Sequence, residues 1–561
     1  MYNQKRKRLG ELLIEAGILT KEKFDSAMEL QKGSGKKLGE FLVDKGIVDE
    51  NSIVDVLEFQ LRIPKVDFNH LDIDPEILKM ISENLAKKHK VVPVRIEDDK
   101  LLVAMADPLD LVAIDEVRIA SGMEVTPAIA TKSSVTTAIE RLYGKESAEK
   151  AVEDFKKQYN IDQITEKDME LSSEVTNAPV VKLVNSIVEH AMKLKASDIH
   201  IEPLADCFRI RFRIDGDLQE IMRSPKTAHP AVVTRIKIIG RMDIAEKRIP
   251  QDGRVEMNID GKDVDLRLSV LPTVYGEKVV IRILGRSDIM LSRSQLGFSP
   301  ENGERFDRII KSPNGIILVT GPTGSGKTTT LYAVLKELDK IDRNIITVED
   351  PVEYKLDGVN QVQVNVKAGL TFANGLRSIL RQDPDIVMIG EIRDEETAEI
   401  AVRAAITGHL VLSTIHTNDS ASTITRLIDM GIEPYLVSSS LTGIVSQRLV
   451  RKICKSCKTS YKPDISELSL LKQRESRSLF KGAGCSACNN TGYLGRTAIH
   501  EVMPIGKDMR ELIDRRANID QIRHLASKTG TISLRESCVQ LVLNGVTTVE
   551  ELTRMTYSLD L

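Results

Sequence analysis

The eight residues Gly321-Pro-Thr-Gly-Ser-Gly-Lys-Thr328 fit G-x-x-x-x-G-K-[S/T], the spacing of a loop that grips phosphate. Gly321, Gly324 and Gly326 let backbone N–H groups curl around an anion, with Thr323, Ser325 and Thr329 completing the loop and helix start. Lys327 reaches the β/γ oxygens of a nucleoside triphosphate such as ATP, and Thr328 supplies a Mg2+ ligand. The stretch lies between the apolar run GIILVT and the helical TTTLYAVLKELD, where that chemistry needs it. The rival reading is a plain glycine-rich turn. Two further apolar runs end in carboxylates: ITVED in Glu349 and Asp350, DIVMIGE in Glu391. Hydrolysis needs such a group to polarise water beside the γ-phosphate. Gly390 stands where an aspartate usually precedes this glutamate, so one Mg2+ contact has to come from elsewhere or through water. His409 and His416 flank the run LVLSTI, as acid–base partners or as structural residues.

A second constellation is four cysteines in two Cys-x-x-Cys pairs, Cys454/Cys457 and Cys485/Cys488, with 27 residues between the pairs. Four thiolates at this spacing suit a closed tetrahedral Zn2+ site, which leaves no position for substrate and is therefore structural. Redox activity is the rival, but a redox pair rarely comes doubled. Cys207 and Cys538 stand alone and read as buried apolar fillers.

Periodicity indicates the elements that must hold these groups. From about Ser292, short wholly apolar runs alternate with helical periods; strands apolar on both faces belong to a parallel α/β sheet. Upstream, VVKLVNSIVEHAMKLKA has helical period, while FRIRFRID, VDLRLSVLP and EKVVIRIL read as strands. Residues 145–177 are charged and poor in aliphatics, the composition of a tether. Between Pro64 and Tyr143, KVVPVRIED and KLLVAMADP read as short strands among helices. Past Arg451 come the cysteine pairs and a largely helical tail.

The N-terminal stretch says nearly the same thing twice. RLGELLIEAGILTKEKFDSAMELQ (8–31) and KLGEFLVDKGIVDENSIVDVLEFQ (37–60) are 24 residues each, share eight identities and are separated by five residues. Each copy reads as two short helices, the first ended by Gly17 or Gly46 and the second capped by Thr20 or Asp49.

At 561 residues the chain calls for about three or four domains. Apolar residues at 41% and charged residues at 29% are those of an ordinary globular protein. No apolar run approaches the roughly 18 residues a membrane span needs, and Glu11 and Glu15 break what would be a signal peptide. The expected location is the cytoplasm, peripheral to the membrane through partners. A net charge of −3 gives no pull toward a nucleic acid polymer.

In order, the P-loop, ITVEDPVEY, DIVMIGEIRD and TGHLVLSTIHTND resemble the secretion ATPase superfamily, in the branch of type II secretion and type IV pilus assembly motors. The resemblance runs from about residue 178 to the C-terminus. It implies a multidomain α/β protein. A RecA-like P-loop ATPase core spans 291–561 and carries a zinc module (451–495) and a helical tail; a PAS-like α+β domain spans 178–290. It further implies a homohexamer that hydrolyses ATP to extend a pilus through an inner-membrane platform protein, with type II secretion as the alternative. Arg267 and Arg282 are then expected to reach the γ-phosphate, and Arg377 and Arg381 to flank the nucleotide, neutralising charge in the transition state. Assembly motors of this family carry the cysteine module and retraction motors lack it.

The doubled stretch resembles the tandem motifs of the MshEN domain, which binds cyclic di-GMP and would span 1–144. The resemblance implies that Arg8 and Lys37 meet phosphate and base, Leu9 and Leu38 lie against bases, and Gly10 and Gly39 permit close approach. Gln31 and Gln60 supply amide donors and acceptors. Lys37 departs from the family's arginine and loses the planar stack. The rivals are a helical docking scaffold without ligand, a signal receptor whose ATPase activity is lost, and a DNA-transfer motor. Intact Lys327, Thr328 and Glu391 speak against the second, and the acidic balance against the third.

Overall fold

The computed structural model describes residues 9–31, 38–61, 63–68, 71, 73–139, 142–143, 178–259, 261–285, 291–473 and 477–557. Arg8, Lys37 and the tether 145–177 lie outside them. The chain divides into two compact units, 1–255 with 266–283 and 485–489, and 256–265 with 284–484 and 490–561.

In the first unit the repeats fold alike, as α1 (Leu9–Glu15), α2 (Lys21–Gln31), α3 (Leu38–Asp44) and α4 (Glu50–Leu61). Gly17 and Gly46 take left-handed φ of 71° and 65°. There the Ile18 and Ile47 N–H groups turn back to the Leu13 and Leu42 carbonyls at 3.0 and 2.9 Å. Thr20 and Asp49 cap the second helices as expected, Lys23 N–H donating to Thr20 Oγ1 and Ser52 N–H to Asp49 Oδ2. Positions 29 residues apart share one core: Leu13 with Leu42, Leu19 with Val48, Ala27 with Val56. Duplication in sequence is thus duplication in packing.

Next come β1 (Val91–Glu97) and β2 (Lys100–Met105), antiparallel, then α5 (Leu111–Ser121) and β3 (Glu124–Ile129), parallel to β2. The helix supplies the crossover that a parallel pair requires. After α6 (Ala178–Lys193) lies a six-stranded sheet of β4 (Asp198–Pro203), β5 (Cys207–Ile214), β6 (Asp217–Pro225), β7 (Gln251–Ile259), β8 (Lys262–Thr273) and β9 (Gly276–Gly285), in the order β6-β5-β4-β9-β8-β7. Helix α7 (His229–Ile239) follows β6 in the chain. Strand β5 alternates as its sequence demands, Phe208, Ile210 and Phe212 being buried and Arg209, Arg211 and Arg213 half-buried. Cys207, at its start, is half-buried rather than a core filler.

The second unit has α8 (Pro300–Ile310) as its first α-helix and is built on seven strands: β10 (Gly315–Thr320), β11 (Ile345–Glu349), β12 (Asn360–Gln363), β13 (Ile386–Ile389), β14 (Leu410–Ile415), β15 (Leu441–Ile453) and β18 (Tyr493–Pro504). Their order is β12-β11-β13-β14-β10-β15-β18, all parallel except β18, which runs antiparallel to β15. Helices α9 (Lys327–Leu338), α10 (Phe372–Ile379), α11 (Glu395–Ile406), α12 (Ser420–Asp429) and α13 (Pro434–Ser440) connect the strands. Alternate residues of β10 feed two separate cores, Ile316 and Leu318 one, Ile317 and Val319 the other. That two-sided burial is why the run carries no polar alternation.

Downstream, β16 (Lys458–Tyr461) and β17 (Leu479–Gly482) pair antiparallel between the cysteine pairs. The stretch after the second pair departs from the expected helical tail: β18 extends the main sheet before α14 (Lys507–Asp514), α15 (Ile519–Lys528), α16 (Leu534–Leu543) and α17 (Val549–Tyr557). Paired with β15 along its length, its sequence YLGRTAIHEVMP alternates in exposure only at its start and is mostly buried from Ala498 to Met503. No helix of the described residues is long and apolar enough to cross a membrane.

Candidate nucleotide site and cysteine centre

Parallel strands bring their C-terminal ends to one edge of the sheet, and there the expected groups gather. β10 leads through Thr320 into the P-loop, and α9 starts at Lys327 behind Gly326, whose φ of 87° is left-handed. A methyl group on Gly321 would stand 2.4 Å from the Gln447 carbonyl oxygen, so the loop lies against β15 with no room to spare. Gln447 holds it there: its Nε2 donates to the Ser325 carbonyl at 2.8 Å, and its Oε1 accepts from Thr330 Oγ1 at 2.7 Å. Lys327 is 8% exposed and donates to the Gly321 and Pro322 carbonyls at 2.8 and 3.1 Å. Burial pushes its pKa down to about 8; the Glu391 carboxylate opposes that and the Arg448 guanidinium adds to it. An ammonium held only by loop carbonyls can be taken over by an incoming phosphate. The loop therefore fits a polyphosphate, with half-buried Thr328 in the first helical turn where Mg2+ would be held. Thr323 and Gly324 are exposed, Thr329 half-buried and Ser325 buried.

Glu391 follows β13 and is gripped from two sides, by Arg393 and by His416, whose Nε2 lies 3.0 Å from Glu391 Oε2. Burial works to raise the Glu391 pKa, but the Arg393 hydrogen bond and charge, with His416, outweigh it and hold the carboxyl below its ordinary value. It is an ionised acceptor beside the P-loop. Glycine precedes it for a packing reason: a Cβ at Gly390 would come 3.3 Å from Glu349 Cα. Glu349 is differently placed. It is 3% exposed and accepts from Tyr332 Oη, Thr347 Oγ1 (2.6 Å) and Gln361 Nε2 (3.1 Å), so it links the P-loop helix to β11 and β12. The two histidines separate as well. His416 is at the carboxyl end of β14, whereas His409 precedes its amino end and bonds the Ala404 carbonyl at 2.9 Å.

Arg377 pairs with Glu396 in the first turn of α11, and Arg381 donates to the Arg377 carbonyl; both are exposed. Arg267 and Arg282 belong to the first unit, on β8 and β9, where Arg282 Nε meets Asp198 Oδ1 at 3.0 Å. Sequence reasoning missed Gln447, Arg448, Arg393 and Tyr332. The only signal was the polar pair Gln-Arg interrupting the apolar run of β15.

The four cysteines are all buried, and their Sγ atoms lie within 4.8 Å of one another. Tetrahedral Zn–S bonds of about 2.3 Å place sulfurs about 3.8 Å apart, so the set fits zinc. Cys454 follows β15 with its N–H donating to the Gly492 carbonyl at 2.9 Å, and Cys485 N–H points at Cys488 Sγ at 3.3 Å. Cys538, outside the set, is buried, and burial pushes its thiol pKa up to about 12.

In the repeats, Gly10 is buried and Gly39, Leu38 and Gln31 are half-buried. A methyl on Gly10 would strike the Phe24 ring at 2.1 Å, so this glycine already has a reason inside the fold. Arg8, Lys37 and the side chains of Leu9 and Gln60 lie outside the described residues.

Comparison with known proteins adds five findings. The family described as type II/IV secretion system protein matches residues 173–554, and the MshEN domain matches 61–149, after the doubled stretch. The type IV pilus assembly ATPase PilB of Myxococcus xanthus (strain DK1622) is 44% identical over 554 residues, 97% of this chain and 98% of that protein. The type II secretion system protein E of Xanthomonas campestris pv. campestris is 42% identical over 558 residues, 98% of each. The X-ray structure of the Legionella pneumophila ATPase DotB, 21% identical, covers 67% of this chain and 95% of its own with a TM-score of 0.51, which shows a shared fold.

Proposed function

The chain belongs to the type II/IV secretion system ATPase family, and on that premise we propose that it is a motor hydrolysing ATP to extend a type IV pilus. One observation carries the reading. Lys327 and Glu391 follow β10 and β13, either side of β14, close enough for the carboxylate to act on the ammonium, in a chain that matches a pilus assembly ATPase over 97% of its length. The P-loop from Gly321 to Thr329 binds the phosphates, Thr328 holds Mg2+, and Glu391 orients water with His416 as its partner. Arg267, Arg282, Arg377 and Arg381 neutralise charge on the transferred phosphoryl group, and Glu349 supports the site through Tyr332.

The working unit is a homohexamer at the inner face of the cell membrane, engaging an inner-membrane platform protein. Residues 178–290 form its PAS-like domain and 291–561 its RecA-like domain, with Zn2+ on Cys454, Cys457, Cys485 and Cys488. Residues 1–144 regulate it by binding cyclic di-GMP through the two repeats. The 42% identity to a type II secretion protein over the same length favours a second reading, a secretion motor of identical chemistry. Deleting the gene and scoring surface pili against secreted enzymes separates the two. Loss of pili with secretion intact is the expected result, and the reverse result overturns the pilus reading.

A further inference from the structure

Resting on the reading of this site as an ATPase centre, we propose that Arg448 is a nucleotide-binding residue that contacts the terminal phosphate of ATP held in its own chain. Strand β15 runs parallel to β10 with Ser446 opposite Thr320, so Arg448 lies beyond the point where β10 gives way to the P-loop. Side chains alternate along a strand. Gln447 grips the P-loop from one face; Ser446 and Arg448 take the other. Ser446 Oγ meets Ser420 Oγ at 2.8 Å, and Arg448 Nη2 donates to Asn418 Oδ1 at 3.1 Å.

The position of Asn418 decides where the guanidinium goes. It follows β14, two residues past the His416 that pairs with Glu391. Strands β14 and β15 flank β10 on either side. An arginine on the exit of one that bonds the exit of the other must cross over the end of β10, where the phosphate loop begins.

What it meets there is incomplete. Arg448 is 9% exposed, and its Nε has no hydrogen-bond partner. Among the described residues it has no carboxylate partner, and burial alone pulls its pKa below the usual guanidinium value. Its charge also bears on Lys327. Lys327 has the Glu391 carboxylate to offset its charge and Arg448 has only the neutral Asn418, so burying this second cation is costly, and the cost falls when a polyphosphate enters. The P-loop amides already serve the inner phosphates. Arg448 reaches Asn418, two residues past the His416 that pairs with Glu391, and its planar fork suits phosphate oxygens.

The test uses the full-length chain with fluorescent ATP and ADP analogues, comparing wild type, Arg448→Gln and Arg448→Lys, with melting temperature and zinc content recorded for each. A charge-assisted contact to the terminal phosphate predicts that Arg448→Gln weakens ATP by about tenfold or more while ADP changes by less than about threefold. Arg448→Lys should recover part of the ATP affinity, because it restores the charge without the fork. A packing role alone would lower the melting temperature and shift both nucleotides equally; that result, or unchanged affinity for both, overturns the proposal. If wild-type protein binds neither nucleotide, the ATPase reading itself falls, and Arg448 with it.

Discussion

In the proposed mechanism Lys327 and Glu391 divide the work of the site, and their surroundings say how. Lys327→Ala removes the loop's buried ammonium, so tight ATP binding should be lost in equilibrium titration. Glu391→Gln keeps the shape and the His416 contact but not the charge; it should bind ATP and hydrolyse it at least ~100-fold more slowly. Near-normal turnover in that variant would shift the role to another carboxylate. Glu349 is a poor substitute, because its oxygens are already committed to Tyr332, Thr347 and Gln361. A third carboxylate makes a pH prediction. Burial works to raise the Glu202 pKa, but hydrogen bonds from Arg211, Lys278 and Arg209 outweigh it and bring it from 4.5 to about 2. A folded-state pKa depressed in this way contributes stability above the unfolded value near 4.5, lost as pH falls toward about 2. Glu202→Gln should therefore melt earlier than wild type at pH 7, and the gap should narrow from pH 4.5 downward. A gap constant across that window would mean the carboxylate's charge is not what holds the sheet.

Strand β15 is the element that ties most together. It flanks β10, grips the P-loop through Gln447, and ends one residue before Cys454, the first of the four clustered cysteines. Gln447→Ala should loosen the loop and raise the KM for ATP, visible in steady-state kinetics, while leaving one zinc per chain. The cysteine module behaves differently. Its strands β16 and β17 are four residues each, and on the proposed reading metal binding adds to the folding free energy that Leu471 and Leu479 contribute by burial. Cys454→Ser or chelation should release the zinc and lower the melting temperature of the C-terminal part. Elemental analysis finding no zinc in carefully purified protein would remove that account.

For the whole molecule, the groups assigned to one reaction are spread over two compact units. Arg267 and Arg282 stand in the first and Lys327 in the second. Alanine at either arginine should reduce kcat with little change in nucleotide affinity, since such groups act when charge develops; wild-type kcat in both variants would remove them from the mechanism. The proposed regulation also belongs to the whole chain. Titration calorimetry of the full chain should show saturable cyclic di-GMP binding, weakened by Arg8→Ala and tightened by Lys37→Arg. No heat at tens of micromolar ligand would leave the repeats as a docking scaffold.

What the sequence alone determined is whatever rests on local spacing. Gly321 to Thr328 specify a phosphate loop wherever a strand precedes and a helix follows, and both are written beside it. Two Cys-x-x-Cys pairs predict their own cluster, and a copied stretch predicts a copied pair of helices, down to the left-handed Gly17 and Gly46. The tertiary structure decided which distant residues share an edge. It placed His416 and not His409 against Glu391, because one strand separates them end to end. It turned Glu349 into a buried link through Tyr332, explained Gly390 by the approach of β11, and brought Gln447 and Arg448 beside a loop more than a hundred residues earlier. Those outcomes depend on strand order, and the order β14-β10-β15 follows from how crossovers pack on two faces of a sheet, which no short window of residues encodes.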